Sequence, residues 1–297
     1  MAGPSYSKAD IHLLHVFSTV VEAKGFSAAQ IVLNVSASTI SRQIADLEAR
    51  LGVRLCHRGR RGFRLTDKGE TVYAAARTLF SALGQFGEIV DGTRGKLVGK
   101  LAIALVDNWA LNENALIHRA LGKFVNLGPD VAIELYSLAP DDIEIAVQDG
   151  YVSLGFGVFH NHKPGLLYET LESEKIGLFA GRGNPLFDVR QGARAVKLLA
   201  NANFAKRAYL NEDIVAPISQ GIASNAVAHQ IEGIAMLILT GKYIGYLPQS
   251  LAEVWLRNGL MRSVCNGKHD LSSDIKLVRK RGEHANLVVS TFIDCLR

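Results

Sequence analysis

Between Lys8 and Ala23 the apolar residues fall in two adjoining stripes, Ile11, Leu14, Phe17 and Val21 in one and Leu13, Val16 and Val20 in the other. A helix with that pattern is buried over a wide face, and Gly25 ends it. Ser27 and Gln30 have the spacing of a capping box for a short second helix that stops near Leu33, with Phe26 and Ile31 at the two staple positions. Asn34 and Val35 form a tight connection, and Ser36 caps a third helix that runs to Leu51 before Gly52, with Val35 and Ile40 as a second staple. Ile40, Ile44, Leu47 and Leu51 share one face of this helix; Ser38, Thr39, Ser41, Arg42 and Gln43 lie opposite. Two helices joined so tightly predict a helix-turn-helix. The segment VRLCHRGRRGFRLT alternates at both ends around Gly59 and Gly62, which predicts a small basic hairpin, a wing.

From Asp67 to Val90 the period changes. Val72, Ala76, Leu79, Leu83, Phe86 and Val90 follow the 3.5-residue repeat of a seam that wants a partner helix. The glycine-rich stretch DGTRGKLVG then reads as a hinge. Beyond Lys100 the chain alternates strands and helices. Strands are expected at 101–106, 131–136 and 153–158, with helices at about 111–126 and 141–149; a second series has strands near 174–181, 206–210 and YIGYL, with helices near 189–200, 225–240 and 249–258, and IKLV with a final helix closes the chain. The pattern is that of a multidomain α/β protein whose C-terminal part is doubly wound.

Composition sharpens the functional reading of the first part only. The net charge is +5, and up to Thr66 nine basic residues face four acids, leaving 24 of the 33 basic and 24 of the 28 acidic residues for the remainder. All the excess charge therefore sits in the first fifth of the chain, as expected for a face that meets a polyanion. The three widely separated cysteines suit reduced thiols better than a disulfide framework. No apolar run long enough to span a bilayer and no secretory signal pattern occur, so a cytoplasmic protein with no membrane partner is expected.

The polar face of the third helix carries the short hydroxyls and long donors that suit a helix N-terminus pushed into a nucleic-acid groove. Arg42 has the fork that reads guanine O6 and N7, and Ser27 and Ser36 lie where helix N-terminal N–H groups hold phosphate. Arg58, Arg60, Arg61 and Arg64 on the wing suit phosphates or a minor groove.

The run GFSAAQIVLNVSASTISRQIADLEARLGVRLCHRGRRGFRLTDKG resembles the N-terminal winged helix-turn-helix signature of LysR-type bacterial transcriptional regulators, densely over residues 8–92 and in layout beyond Gly99. The resemblance implies a winged DNA-binding domain (1–66), a linker helix that dimerises (67–92), a hinge (93–99) and an effector-binding domain (100–297) shaped like a two-lobed periplasmic binding protein. In that layout lobe one takes about 100–165 and 272–297, and lobe two about 166–271. It further implies a homotetramer, double-stranded DNA as partner and a small-molecule effector. The sequence departs from the family pattern at Gln30, Ile31 and Val32, and at Ala37, where a glutamine is common. An alanine there cannot form a bidentate contact to adenine but can touch a thymine methyl.

Doubly wound sheets bind ligands beyond the carboxyl ends of their strands. Those ends supply Asp107, Asn108, Trp109, Ser137 and Phe159-His160 in the first lobe, and Arg182 and Arg207 in the second, with Ser224 and Asn225 opening the helix to Thr240. Arg207 and a helix N-terminus favour a small anionic or polar effector, although Asp107 would repel a carboxylate. His160-Asn161-His162 lacks a visible third ligand, Gly155 and Gly157 lack the third glycine of a dinucleotide fingerprint, and no nucleophile elbow, P-loop or H-E-x-x-H occurs, so neither metal nor cofactor is expected. The alternative is an α/β enzyme whose N-terminal helices serve only assembly.

Overall fold

A computed structural model describes residues 7–57, 63–92, 96–107, 109, 116–189, 191–209, 226–282 and 286–297. It resolves into two compact units, one built on the first 87 residues and one on most of the remainder.

In the first unit, α1 (Lys8–Glu22) opens with a capping box: Ser7 accepts from the Asp10 N–H and the Asp10 carboxylate accepts from the Ser7 N–H at 2.7 Å. The second of its two stripes, Leu13, Val16 and Val20, is buried throughout, and of the first only Phe17 is. α2 (Phe26–Leu33) begins earlier than expected. Gly25, at φ +149°, precedes its first residue with no side-chain cap, so Ser27 lies inside the first turn and forms no capping box with Gln30. The associated staple fails too, because Ile31 is 86% exposed and Phe26 packs instead on Phe63. α3 (Ala37–Leu51) is capped by Ser36 and closed by Gly52 as expected, but Val35 is exposed and Ile40 buries itself in the common core, so the second staple is absent.

The wing consists of β1 (Cys56–His57) paired antiparallel with β2 (Arg64–Leu65), Cys56 opposite Leu65. Gly59, Gly62, Arg58, Arg60 and Arg61 lie outside the described residues. α4 (Asp67–Gly92) follows, its first turn capped by Thr66, whose hydroxyl accepts from the Gly69 N–H. At Gly69 a Cβ would stand 1.9 Å from the Leu55 carbonyl oxygen, so only glycine lets the strand lie this close to the helix. The seam divides: Ala76 is buried and Val72 packs on the core of α1–α3, whereas Leu79, Leu83, Phe86 and Val90 are exposed.

The second unit starts with β3 (Val98–Leu105), which absorbs the last two residues of the expected hinge; residues 93–95 lie outside the described ones. α5 (Leu116–Asn126), β4 (Asp130–Ser137), α6 (Pro140–Gln148) and β5 (Leu154–Gly157) follow, with β4–β3–β5 all parallel. β6 (Leu166–Gly181), α7 (Ala193–Ala200), β7 (Asn203–Arg207), β8 (Ala226–Ala228) and α8 (Ile231–Leu239) come next. β9 (Tyr243–Pro248), α9 (Gln249–Arg257), β10 (Met261–Ser263), β11 (Leu271–Lys280) and α10 (Leu287–Leu296) complete the chain.

The expected two lobes are present, joined by one continuous sheet of order β4-β3-β5-β11-β6-β9-β7-β8, with β10 added on β6. The long strands β6 and β11 cause this. β11 pairs with β5 and with the first part of β6, while the last part of β6, Ile176–Ala180, pairs with β9. Lobe one is packed under α5 and α10, where Phe124 meets Phe292 edge-on at 5.8 Å. Lobe two has a core on each sheet face, one under α7 and one under α8 and α9. Two expectations are corrected here. β6 begins at Leu166 rather than near 174, because the acids Glu169 and Glu172 hide a half-buried strand; and the helix expected from about 225 begins only at Ile231, after strand β8.

Candidate functional site: a helix surface and an interlobe cleft

The N-terminal end of α3 is the first site. Ile40, Ile44 and Leu47, each at most 1% exposed, fix one face of the helix in the core, which turns Ser38, Thr39 and Arg42 outward. The Ser36 hydroxyl accepts from the Thr39 N–H at 3.2 Å and lies 2.9 Å from the hydroxyls of both Ser38 and Thr39. Three exposed hydroxyls are thus tied together at a helix N-terminus, where the helix dipole favours an anion. Arg42 is exposed one turn further on, with no hydrogen-bond or ion-pair partner among the described residues, and Ala37 and Ser41 are half-buried beside it.

Gln43 does not belong to this surface. Its Nε2 is 3.1 Å from His12 Nε2, so it ties α3 to α1. Glu48, at the other end of α3, accepts from the Leu55 and Cys56 N–H groups at 2.7 and 3.2 Å and so holds the wing to α3. Arg50 joins Asp10 at 2.7 Å. Hydrogen bonds to the Ser7 hydroxyl and backbone, together with Arg50, hold the Asp10 carboxyl down at about 2. Ser27 is exposed in the first turn of α2, and Arg64 is exposed on β2.

The second site is a cavity of about 130 Å³ between the two lobes of the second unit. Asp107 at the end of β3 enters it from lobe one, and Arg207 at the end of β7 from lobe two. The Arg207 guanidinium donates to Asp107 Oδ1, the Tyr209 hydroxyl donates to the same oxygen at 3.3 Å, and the Ile231 N–H, first in α8, donates to Oδ2 at 2.5 Å. The chain's own carboxylate therefore occupies both groups expected to hold an anion, the arginine and the helix N-terminus. Burial pushes the Asp107 carboxyl up and the Arg207 guanidinium down to about 10. The Ile231 N–H opposes the rise of the Asp107 carboxyl, and Glu232 in the first turn of α8 opposes the fall of the Arg207 guanidinium.

Trp109 lines the cavity. Its Nε1 is buried and without a partner among the described residues, as is Arg207 Nε. Ser137 is not among the lining residues: β4 is the sheet's edge strand, and its carboxyl end lies away from the cleft. Asn108, Ser224 and Asn225 lie outside the described residues. Sequence reading missed Glu174, Tyr209 and the β11 hydroxyls Ser272 and Ser273. Glu174, Ser272 and Ser273 come from within β6 and β11 rather than from strand ends, so the carboxyl-end rule could not find them; Tyr209, two residues after Arg207, was within its reach. His160 lines the cavity, where burial first and Lys276 second push its imidazole below the ordinary value. His162 stacks instead on Tyr168 at 4.1 Å.

Two sequence profiles match the chain: the lysR family of bacterial regulatory helix-turn-helix proteins over residues 11–70, and the LysR substrate binding domain over residues 94–297. The chain belongs to the LysR family. It is similar to the HTH-type transcriptional activator BauR of Pseudomonas aeruginosa, 36% identical over 287 residues that cover 97% of this chain and 94% of the relative. It is also similar to the probable HTH-type transcriptional regulator LrrA of Synechococcus elongatus, 30% identical over 60% of this chain and 59% of that one. Among solved structures, CbnR, a LysR family transcriptional regulator, superposes with a TM-score of 0.68 at 20% identity, covering 97% of this chain and 98% of CbnR. Full-length CbnR complexed with its target DNA gives 0.67 at 21% identity, over 97% and 98% of the two chains. This LysR-family chain is thus a DNA-binding transcriptional regulator with an effector-binding domain. Among its described residues no helix is long and apolar enough to cross a membrane.

Proposed function

We propose that the N-terminal end of α3 reads DNA in the major groove, with Arg42 contacting base edges and Ser36, Ser38, Thr39 and Ser41 holding the backbone beside it. The observation that carries this is the exposed Arg42, without a partner among the described residues, one turn from a cluster of three linked hydroxyls on a helix whose other face is locked in the core. Ala37 offers a methyl to thymine, and Ser27 and Arg64 flank the surface as phosphate contacts, with Arg58, Arg60 and Arg61 of the wing in the same role.

The exposed part of the α4 seam, Leu79, Leu83, Phe86 and Val90, pairs with the same helix of a second copy, setting two recognition helices on half-sites about one turn of DNA or a multiple apart. Two such dimers make the tetramer. The domain division follows the same logic: 1–66 binds DNA, 67–92 dimerises and 100–297 senses. The interlobe cavity is the effector site, with Asp107, Trp109 and Arg207 in it. The lobes sense rather than convert a small molecule, a reading supported by the regulators the chain resembles along nearly its whole length.

A DNA-binding titration over salt tests the central assignment. Arg42→Ala should cost about 1–3 kcal/mol on the specific site and little on random DNA, whereas Arg64→Ala should weaken both alike and flatten the salt slope by about one. Equal loss on specific and random DNA for Arg42→Ala would remove Arg42 from base reading.

A further inference from the structure

The charged groups of the interlobe cavity do not balance. Asp107 and Arg207 neutralise each other, and Asp107 is further satisfied by the Ile231 N–H and the Tyr209 hydroxyl. What remains is Glu174, which projects from the middle of β6 and lines the same cavity. Its Oε1 accepts from the Ser250 hydroxyl at 3.0 Å, and no cation pairs with it among the described residues. Glu172, two residues along the strand, adds a second negative charge, and burial together with that neighbour raises the Glu174 carboxyl above its ordinary value. A desolvated carboxylate without a counter-charge is costly, and a bound cation relieves that cost.

Two further observations bear on the ligand. Trp109 Nε1 and Arg207 Nε are buried donors with no acceptor among the described residues, and both residues line the cavity. The rest of the wall is largely hydrocarbon, including Ile176, Leu271 and Ile275. The volume of about 130 Å³ is slightly below that of a cavity of about 150 Å³ that takes benzene, so a ligand of about that size fits.

We propose that the effector is a small amine, its ammonium paired with Glu174 and its acceptor end, a carboxylate or carbonyl, taking the free N–H groups of Trp109 and Arg207. This rests on the reading of the cleft as the effector site. The cleft rejects a plain carboxylate of the same size, because Arg207 and the α8 N-terminus already hold Asp107 and nothing then balances Glu174. A short amino acid fits both ends: its ammonium balances Glu174, its carboxylate takes donors that Asp107 leaves open, and its methylenes lie on the apolar wall.

The test uses the full chain and the fluorescence of its two tryptophans, one of which, Trp109, lines the cavity. The probes are 3-aminopropanoate, 4-aminobutanoate, 5-aminopentanoate and α-amino acids of the same size. Each is matched with the carboxylate lacking the amine and with the alkylamine lacking the carboxylate. At least one amine-bearing probe should bind at least tenfold more tightly than its amine-free match, and Glu174→Gln should weaken it at least tenfold while leaving the amine-free match unchanged. Glu174→Gln removes an unbalanced charge and keeps an acceptor for Ser250, so its unliganded melting temperature should not fall.

Equal binding of the amine-free carboxylates, an amine-bearing probe indifferent to Glu174→Gln, or no response to any amine-bearing probe would each overturn the ammonium assignment. The cleft reading is scored separately with Ser272→Trp, which fills the cavity from its exposed side. Loss of the response of DNA retardation to a cell extract upholds the cleft as sensor, and a retained response overturns it.

Discussion

Substituting Asp107→Asn and Arg207→Met, singly and together, measures what the contact across the cleft contributes to the effector domain. The two side chains are 11% and 15% exposed, and the carboxylate also carries the Ile231 N–H of the α8 first turn and the Tyr209 hydroxyl. Breaking a buried pair by removing one partner costs about 3–5 kcal/mol, since the remaining charge stays buried without its balance. Asn keeps an acceptor for Ile231, which brings the expected loss for Asp107→Asn to about 2–4 kcal/mol. Arg207→Met leaves Asp107 with two neutral donors and should cost about 1–3 kcal/mol. With both charges gone the penalty for an unbalanced ion disappears, so the double variant should lose about 1–3 kcal/mol less than the sum of the single losses.

Urea unfolding followed by tryptophan fluorescence isolates this domain in the full chain, because both tryptophans, Trp109 and Trp255, lie in it. At a slope of about 2 kcal/mol per molar urea, the Asp107→Asn midpoint should fall by about 1–2 M. Unchanged midpoints for the single variants, or additivity to within about 0.5 kcal/mol, would refute the claim that the pair bridges the lobes energetically.

Three further outcomes are expected. Leu83, 48% exposed on the α4 seam, becomes a buried charge in an α4–α4 dimer on Leu83→Asp; light scattering should then report dissociation, and an undiminished mass would exclude the seam as the interface. Ile44→Ala empties a site that is 0% exposed at the centre of the DNA-binding core and should cost about 2–5 kcal/mol in hydrogen-exchange protection of α1 and α3, with a loss under 1 kcal/mol contradicting the packing. Asp10 has its folded-state pKa held at about 2 against an ordinary 3.8, so its contribution is present above about pH 4 and is lost as pH falls toward 2. Asp10→Asn should therefore lower α1 protection at pH 7, with the difference from wild type shrinking steadily as pH falls from about 4 to 2; a difference that does not shrink over that range would assign the effect to something other than the carboxylate charge.

Much of the DNA-binding unit was legible because its information is local. The caps at Ser36 and Gly52, the buried stripe Ile40, Ile44 and Leu47, and the alternation of the wing all follow from spacing along one element. The failures there were at helix starts. Gly25, whose glycine conformation starts α2 ahead of Ser27, was read only as a stop signal, and Gln43, assigned by helical phase to the DNA face, turns out to serve His12 on a neighbouring helix. In the effector domain, the lobes and most element types were readable, but β8 and β10 are only three residues each and carry too little pattern to find.

The sequence alone determined the helix-turn-helix with its wing, the concentration of basic charge in the first fifth of the chain, the heptad seam and the α/β character of the remainder, since each depends on period, caps or counting. Tertiary structure decided which seam residues are spent on the chain's own core, that β6 and β11 weld the two lobes into one sheet, and how the cleft's charges pair. Arg207 and Asp107 are 100 positions apart and Glu174 sits on a third strand. Only folding places them around one cavity, where low dielectric and burial make Asp107 the partner of Arg207 and leave Glu174 with no cation beside it among the described residues.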